Sequence, residues 1–218
     1  LFLPLMRIIE WTSDEMLEER TLKVIGFLCT CQYTPSNVTN FVTNKHLNII
    51  TLLHKNLVSR KLPKENLRAT LFVLSNIIAD RSGHLHQILE LQFIAILAKI
   101  WEQVVTCQPK NEDERKEMSD LKTEIIYCMG NCCLSVKDTL IGNGAVLLKE
   151  ALKQGALVVL AQALNNLTTS TLGLKIALEG LYRYFKFFKS ADRENCSDTR
   201  LDEILVEFER LGGLDGLE

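Results

Sequence analysis

Proline and glycine are scarce in this 218-residue sequence, with 4 and 11 residues respectively. A β-sheet protein of this length needs many turns, and turns draw heavily on these two residues. No apolar run reaches the roughly 20 residues that cross a bilayer, and FIAILAKIW (93–101) is interrupted by Lys99. The net charge of −2 provides no overall field for nucleic acid or an anionic membrane. We therefore expect a globular protein with no membrane partner and no direct nucleic-acid partner.

The start of the sequence also lacks the pattern of a secretory signal. LFLPLMRIIEW (1–11) contains Pro4, and it has neither a basic leading region nor a small-residue cleavage site. The 7 cysteines are an odd number, and they fall in apolar helical stretches. Those that show this best are Cys29, Cys31, Cys128, Cys132 and Cys133. Both observations favour reduced, structural thiols inside a cell.

What the sequence does contain is helical periodicity. Leucine, isoleucine, alanine, lysine and glutamate dominate, and apolar residues recur at three- and four-residue steps without strand alternation. Helices are predicted over 19–31, 45–57, 65–80, 83–105, 113–135, 144–166, 169–189 and 199–213. The polar stretch SADRENCSD (190–198) is predicted to be a flexible linker.

The helical segments contain an internal repeat. ATLFVLSNIIAD aligns with EIIYCMGNCCLS, and in both an aromatic residue stands four positions before an asparagine. The two pairs are Phe72 with Asn76 and Tyr127 with Asn131. TLKVIGFLCTCQ and ALEGLYRYFKFF are further copies, so that positions 27, 76, 131 and 183 lie 49, 55 and 52 residues apart.

This period is close to that of armadillo and HEAT repeats, about 40–47 residues. The prediction is an all-α protein, a right-handed armadillo-repeat solenoid of three-helix repeats. It is predicted to occupy residues 1–218 as a single domain, with about four repeats and partial ones at the ends.

The same landmarks resemble the C-terminal half of the importin-α (karyopherin-α) family, at low identity over essentially the whole chain. LFVLSNIIAD, KTEIIYCMGN and IALEGLYRYF resemble third-helix segments of that family, and ILVEFERLGGLDGLE resembles its terminal stretch. The resemblance implies a fragment of a nuclear import adaptor found in cytoplasm and nucleus. Its implied partners are proteins with basic nuclear-localisation signals, together with importin-β and an export receptor through parts of the full-length protein.

Asparagine on a third helix has a chemical reason in such a solenoid. Third helices stack in parallel along a concave groove, and positions four apart share one helix face. An asparagine amide both donates and accepts, which suits the backbone of an extended peptide. Aromatic neighbours hold lysine or arginine stems through cation–π attraction of about 0.5–2 kcal/mol. Asp120, Glu124, Tyr127 and Asn131 fall on one helical stripe, and its acidic members would select cations.

The resemblance implies a peptide-binding site equivalent to the minor site of that family. Its residues here are Lys23, Thr30, Phe72, Ser75, Asn76, Glu124, Tyr127 and Asn131. Phe72 and Tyr127 stand where the family has tryptophan, and Phe27 stands where it has asparagine. These changes weaken the aromatic slots and remove one backbone clamp. The alternative function is an armadillo interaction scaffold with a non-basic partner and a degenerate groove.

Simpler roles compete with these assignments. Asn76 and Asn131 could pack helices by bonding a neighbouring loop carbonyl, and the aromatics could be plain core residues. The stripe from Asp120 to Glu124 could be a solvated helix face. The cluster YRYFKFFK (182–189) interleaves aromatic and basic residues, which suits nucleic acid or acidic partners but also an ordinary amphipathic last helix.

No constellation in the sequence predicts catalysis or a bound metal. His84 and His86, two apart at a helix start, point to different sides and have no evident third ligand. The paired cysteines lack Cys-x-x-Cys spacing. IGNGAVLL (141–148) follows no strand and has no phosphate-binding pattern. We therefore expect no enzyme, no cofactor and no metal site.

Overall fold

The all-α class predicted from the sequence is confirmed. The computed structural model describes residues 2–30, 42, 48–59, 62–80, 84–136, 141–166, 170–193 and 201–213. Within these ranges the chain forms helices joined by short turns, without a β-strand. It divides into two compact units, unit 1 (Leu1–Leu91) and unit 2 (Gln92–Glu218). In the described ranges, no helix is both long enough and apolar enough to cross a membrane.

Unit 1 is built from short helices, and polar side chains cap two of them. They are α1 (Phe2–Trp11), α2 (Glu15–Thr30), α3 (Ile49–Ser59), α4 (Lys64–Ala79) and α5 (Leu85–Glu90). The carboxylate of Asp14 accepts hydrogen bonds from the backbone N–H groups of Met16 and Leu17, at 2.9 and 3.1 Å, and so caps α2. Asn48 caps α3 in the same way, through the N–H of Ile50 at 2.8 Å.

The core of unit 1 uses one apolar face of each helix. Its most deeply buried side chains are Met6, Ile9, Leu22, Ile25, Ile49, Leu53, Leu71, Leu74, Ile77 and Ile88. Burying a side chain of this size contributes about 1.5–3 kcal/mol, so this shared face supplies the main driving force for packing the helices together.

Helices α2 and α4 run parallel to each other. Near their N-terminal ends, the Asn66 amide donates to the carboxylate of Glu18 at 3.0 Å. Near their C-terminal ends, the Asn76 amide donates to the carbonyl oxygen of Gly26 at 3.2 Å. Because residue numbers rise together along the contact, the two helices point the same way.

Unit 2 is formed by α6 (Phe93–Thr106), α7 (Glu112–Ser135), α8 (Ile141–Lys153), α9 (Ala156–Asn165), α10 (Thr171–Arg193) and α11 (Leu201–Arg210). Two buried polar side chains tie its helices together. The indole N–H of Trp101 donates to the side-chain oxygen of Gln162 at 2.9 Å. The hydroxyl of Tyr184 donates to the carbonyl of Leu148. The aromatic bodies of both residues are fully buried.

Three predicted boundaries differ from the structure. The continuous helix predicted over 83–105 is interrupted at Gln92, which has φ of 55°. The helix predicted over 144–166 is broken by Gly155, whose φ of 100° favours glycine. Helix α10 continues to Arg193, so the first four residues of the predicted linker 190–198 are helical. Residues 194–198 lie outside the described part of the chain.

Helices α7 and α10 form a second parallel pair. The hydroxyl of Thr123, midway along α7, lies 3.0 Å from that of Ser170, which directly precedes α10. Further along, a Cβ atom on Gly180 would lie 3.1 Å from the Cα atom of Gly130. A Cβ atom on Gly130 would lie 2.5 Å from a methyl carbon of Ile176. The two backbones therefore approach with almost nothing between them, which only glycine allows.

The two helix pairs are equivalent, with a constant offset of 104 residues. Gly26 meets Phe72 and Asn76 in unit 1, and Gly130 meets Ile176 and Gly180 in unit 2 (26 and 130, 72 and 176, 76 and 180). Asn66 and Ser170 differ by the same number, and each bonds to the partner helix. The first and third repeat copies keep their predicted alignment in this comparison, since Phe27 and Asn131 also differ by 104. In the fourth, Ile176 and Gly180 match Phe72 and Asn76, three residues before the predicted Glu179 and Arg183.

Candidate functional site

The amide of Asn76 is held within unit 1. Its Nδ2 atom donates to the carbonyl of Gly26 on the neighbouring parallel helix, at 3.2 Å. Asn76 is half-buried, at the edge of the contact between α2 and α4. An asparagine in the middle of the apolar run LFVLSNIIA therefore satisfies part of its hydrogen-bonding capacity across the helix pair. The acceptor is a helix carbonyl, whereas the packing alternative drawn from the sequence named a loop carbonyl.

The aromatic residue of unit 1 lies on the same glycine. A Cβ atom on Gly26 would lie 2.4 Å from two ring atoms of Phe72, so the ring covers the helix backbone there. The ring of Phe27 meets that of Phe72 edge to face, with centroids 5.4 Å apart. Phe27 itself is 63% exposed. The pair thus presents an aromatic surface that is supported from beneath by α2 and α4.

The other predicted residues of unit 1 bond within their own helices. The hydroxyl of Ser75, which is buried, donates to the carbonyl of Phe72 at 3.0 Å. The hydroxyl of Thr30 donates to the carbonyl of Phe27 at 2.8 Å, at the exposed end of α2. Lys23 forms an ion pair with Glu19 one turn earlier. These residues lie around the Phe27–Phe72 pair.

In unit 2, the predicted residues follow one line along α7. Asp120, Glu124, Tyr127 and Asn131 are all half-buried. Their spacing places them within about 40° of one direction on the helix. Asp113 and Glu117 continue the line towards the N-terminus of α7, and neither was identified from the sequence, although the same helical spacing would have revealed them. We call these six residues the α7 stripe.

The α7 stripe is acidic along most of its length. Burial raises the pKa of the Tyr127 phenol, and the charge of Glu124 raises that pKa further. Burial is the larger cause of this shift, and Glu124 adds a negative charge close to the ring. The negative charge of Glu124 favours a cation placed beside the Tyr127 ring.

The structure brings the predicted residues together in two groups, one in each unit. Lys23, Thr30, Phe72, Ser75 and Asn76 belong to α2 and α4 of unit 1, and Glu124, Tyr127 and Asn131 belong to α7 of unit 2. Each group therefore has its own chemistry. The first is aromatic with a paired lysine, and the second is acidic with one phenol and one amide.

Sequence reasoning missed a buried carboxylate beside the first group. Glu18 is 1% exposed, and its two oxygens accept from Asn56 on α3 and Asn66 on α4, at 2.9 and 3.0 Å. A single side chain therefore links three helices of unit 1. A glutamate in the first turn of a helix is usually a solvated group that favours the helix dipole, so its sequence position gave no signal of burial.

The thiols of the described residues are mostly inert. Burial, together with the charge of Asp80, raises the pKa of Cys29 to about 12. Burial also raises the pKa values of Cys128, Cys132 and Cys133. Across the described ranges, no three histidine, cysteine or acidic side chains gather closely enough to hold a metal ion.

No family model matches the chain, and no curated protein matches it. Two solved structures of similar extent are both described as engineered proteins. One is 14% identical with a TM-score of 0.44, covering 97% of this chain and 96% of that one. The other is 12% identical with a TM-score of 0.46, covering 98% of each chain.

Proposed function

We propose that this chain is a non-catalytic, helical-repeat adaptor, and that unit 2 binds a basic segment of a partner protein along the α7 stripe. The observation that carries the proposal is the alignment of Asp113, Glu117, Asp120 and Glu124 with Tyr127 and Asn131 on one helix face. Four carboxylates in a row attract lysine and arginine side chains and oppose acidic ones.

The two residues at the C-terminal end of the stripe complement the carboxylates. The half-buried ring of Tyr127 offers a face along which the stem of a lysine or arginine can pack, with its charge near Glu124. The amide of Asn131, one turn further on, has the donor and acceptor that a peptide backbone needs. Together they fit an extended basic peptide rather than an isolated cation.

The wider architecture in this proposal is the armadillo-repeat solenoid. Its support is the recurrence of one parallel helix pair, with the same glycine contact, at an offset of 104 residues. With the importin-α resemblance, this makes the proposed partner a nuclear-localisation signal. The same proposal includes a location in the cytoplasm and nucleus. It also includes binding to importin-β and to an export receptor.

Titration of the 218-residue chain with a fluorescent basic localisation peptide tests the proposed site. Asp120→Asn combined with Glu124→Gln should weaken binding about tenfold at about 0.15 M salt, since it removes two carboxylates beside the peptide. Tyr127→Ala and Asn131→Ala should each weaken binding separately. Fluorescence anisotropy measures the affinity, and thermal unfolding checks that each variant is folded.

The matched control removes the same charge elsewhere in unit 2. Glu102→Gln combined with Asp202→Asn changes two exposed acidic residues on α6 and α11. This control should bind the peptide as the parent does. If it loses as much affinity as the stripe variant, the attraction is a property of the overall charge and the proposed site is wrong.

A scaffold with a non-basic partner is the second candidate, and unit 1 supplies the observation that favours it. Phe72 and the Nδ2 atom of Asn76 both engage Gly26. A peptide that bound Phe72 or Asn76 would have to compete with the contact that these residues make with α2. Absence of basic-peptide binding by the parent chain, with the helices intact, would favour this scaffold.

A further inference from the structure

The equivalence between the two units identifies a second stripe, on α2. Subtracting 104 from the numbers of Asp120, Glu124, Tyr127 and Asn131 gives the four residues that lie at the same places on the first helix of the other pair. They are Met16, Arg20, Lys23 and Phe27, and we call them the α2 stripe. Their common helical face follows from the spacing, as it does on α7.

The α2 stripe is open to solvent and apolar at both ends. Met16 is 56% exposed and Phe27 is 63% exposed. Arg20 is exposed between them, and the Lys23 side chain is 40% exposed. A partner that covered Met16 and Phe27 would remove this apolar area from water, which favours association. The α7 stripe has acidic or amide groups at three of the four corresponding places.

The charge of the α2 stripe is opposite to that of the α7 stripe. Lys23 is paired with Glu19, so much of its charge is already compensated. The neighbouring carboxylate of Glu15 lies on another side of α2, at about 120° from the stripe. Arg20 is therefore the principal cation of this surface. Its guanidinium group suits a carboxylate, with which it forms paired hydrogen bonds.

The Phe27 ring is a well-supported anchor. It rests edge to face on Phe72, which in turn covers Gly26, so neither ring can sink further into the unit. A rigid, exposed aromatic ring with little side-chain entropy to lose is typical of the residues that dominate binding energy at interfaces.

We infer that the α2 stripe binds an acidic peptide segment carrying apolar side chains, a ligand class opposite to that proposed for α7. The carboxylate lies at Arg20, and the apolar side chains lie on Met16 and Phe27. From Met16 to Phe27 the helix rises about 16 Å, which about five residues of extended peptide span. Unit 2 serves only to locate the stripe, and the inference does not depend on the proposed function.

The experiment is a titration of the whole chain with a labelled peptide of sequence Phe-Ser-Glu-Ser-Phe, in which the two phenylalanines and the glutamate share one face when the peptide is extended. Arg20→Gln and Phe27→Ser should each weaken binding about tenfold, as loss of an interface anchor does. A peptide with lysine in place of glutamate should not respond to either variant. Fluorescence anisotropy at about 0.15 M salt gives the affinities.

The chain offers a matched control for each change. Arg7→Gln removes an exposed cation on α1, and Val58→Ser removes an apolar side chain on α3 that is 61% exposed. Both controls should bind the acidic peptide as the parent does. Equal weakening by the controls, or no binding by the parent, would overturn the inference.

Two further binding measurements distinguish this inference from the proposed function. The α2 variants should leave binding of the basic peptide unchanged, and Asp120→Asn with Glu124→Gln should leave binding of the acidic peptide unchanged. Either proposal can therefore fail without the other. Sedimentation that shows self-association of the parent, abolished by Phe27→Ser, would assign the α2 stripe to a second copy of the chain and overturn the inference.

Discussion

The ring of Phe72 on α4 lies directly against the backbone of Gly26 on α2, where a Cβ atom would come within 2.4 Å of two ring atoms. The carbonyl of the same glycine accepts a hydrogen bond from Asn76. One residue without a side chain therefore receives both members of the aromatic–asparagine pair that the sequence repeats.

Gly26→Ala should destabilise unit 1. Alanine favours a helix over glycine by about 1 kcal/mol. Overpacking against the Phe72 ring costs about 1–3 kcal/mol and should outweigh that gain. Urea unfolding of the two single variants and of the double variant with Phe72→Ala gives the coupling energy. In the double variant, Gly26→Ala should no longer lower the free energy of unfolding. If the effects of the two single changes simply add, the contact between Gly26 and Phe72 is not tight.

Asn76→Asp should make stability depend on pH. A carboxylate beside the Gly26 carbonyl is repelled, so its pKa rises in the folded state. Stability is then close to that of the parent at low pH and falls as the pH rises above about 3.9, the unfolded value. At neutral pH the loss should be about 1–3 kcal/mol.

Urea unfolding at several pH values measures the effect of Asn76→Asp against a matched variant. Gln103→Glu makes the same amide-to-carboxylate change at an exposed position on α6. Its stability should follow that of the parent at every pH. If both variants behave alike, the Asn76 amide makes no contact of consequence in solution.

Glu18→Gln should cost about 1–3 kcal/mol of unfolding free energy. The carboxylate accepts from two asparagine amides, and glutamine would turn its own N–H₂ group towards one of these donors, leaving a buried donor unpaired. Thermal and urea unfolding of Glu18→Gln and Glu15→Gln provide the comparison, because Glu15 is exposed on the same helix. If Glu18→Gln and Glu15→Gln are equally stable, the Glu18 carboxylate lies in solvent.

Alkylation should distinguish the cysteines sharply. Because the thiolate is the reactive form, a pKa of about 12 leaves about one Cys29 thiol in ten thousand reactive at pH 8. Cys128, Cys132 and Cys133 are also protected by burial, whereas Cys107 is exposed. Among the five cysteines that the structure describes, iodoacetamide followed by peptide mass mapping should find Cys107 modified first, and the other four only after urea is added. Early labelling of Cys132 would contradict the packing of α7.

The sequence predicted the helices well because their signal is local. Apolar spacing located α2, α4, α7 and α10 within a few residues. The repeated aromatic–asparagine pair drew attention to Phe72 and Asn76, but it did not identify Gly26 as the residue they contact. The breaks at Gln92 and Gly155 were missed, since apolar residues continue on both sides and only the backbone angle shows the interruption.

Partners across helices were harder to predict. The fourth repeat copy was aligned by residue type, which placed Glu179 opposite the aromatic position, whereas the contact with Gly130 is made by Ile176. Side chains of different types can pack on a glycine. The residue that covers Gly130 therefore need not be of the same type as Phe72, which covers Gly26. Glu18 was missed for a related reason, because its asparagine partners are 38 and 48 residues away.

The close approach of Gly130 and Gly180 has a consequence for how unit 2 opens. With a Cβ position on one residue only 3.1 Å from the Cα atom of the other, the peptide groups of each helix shield those of its neighbour from water. Neither helix can lose its hydrogen bonds there without uncovering the other. Amide protons around this crossing should therefore exchange with deuterium together and among the slowest in unit 2, which makes the crossing the last part of the unit to unfold.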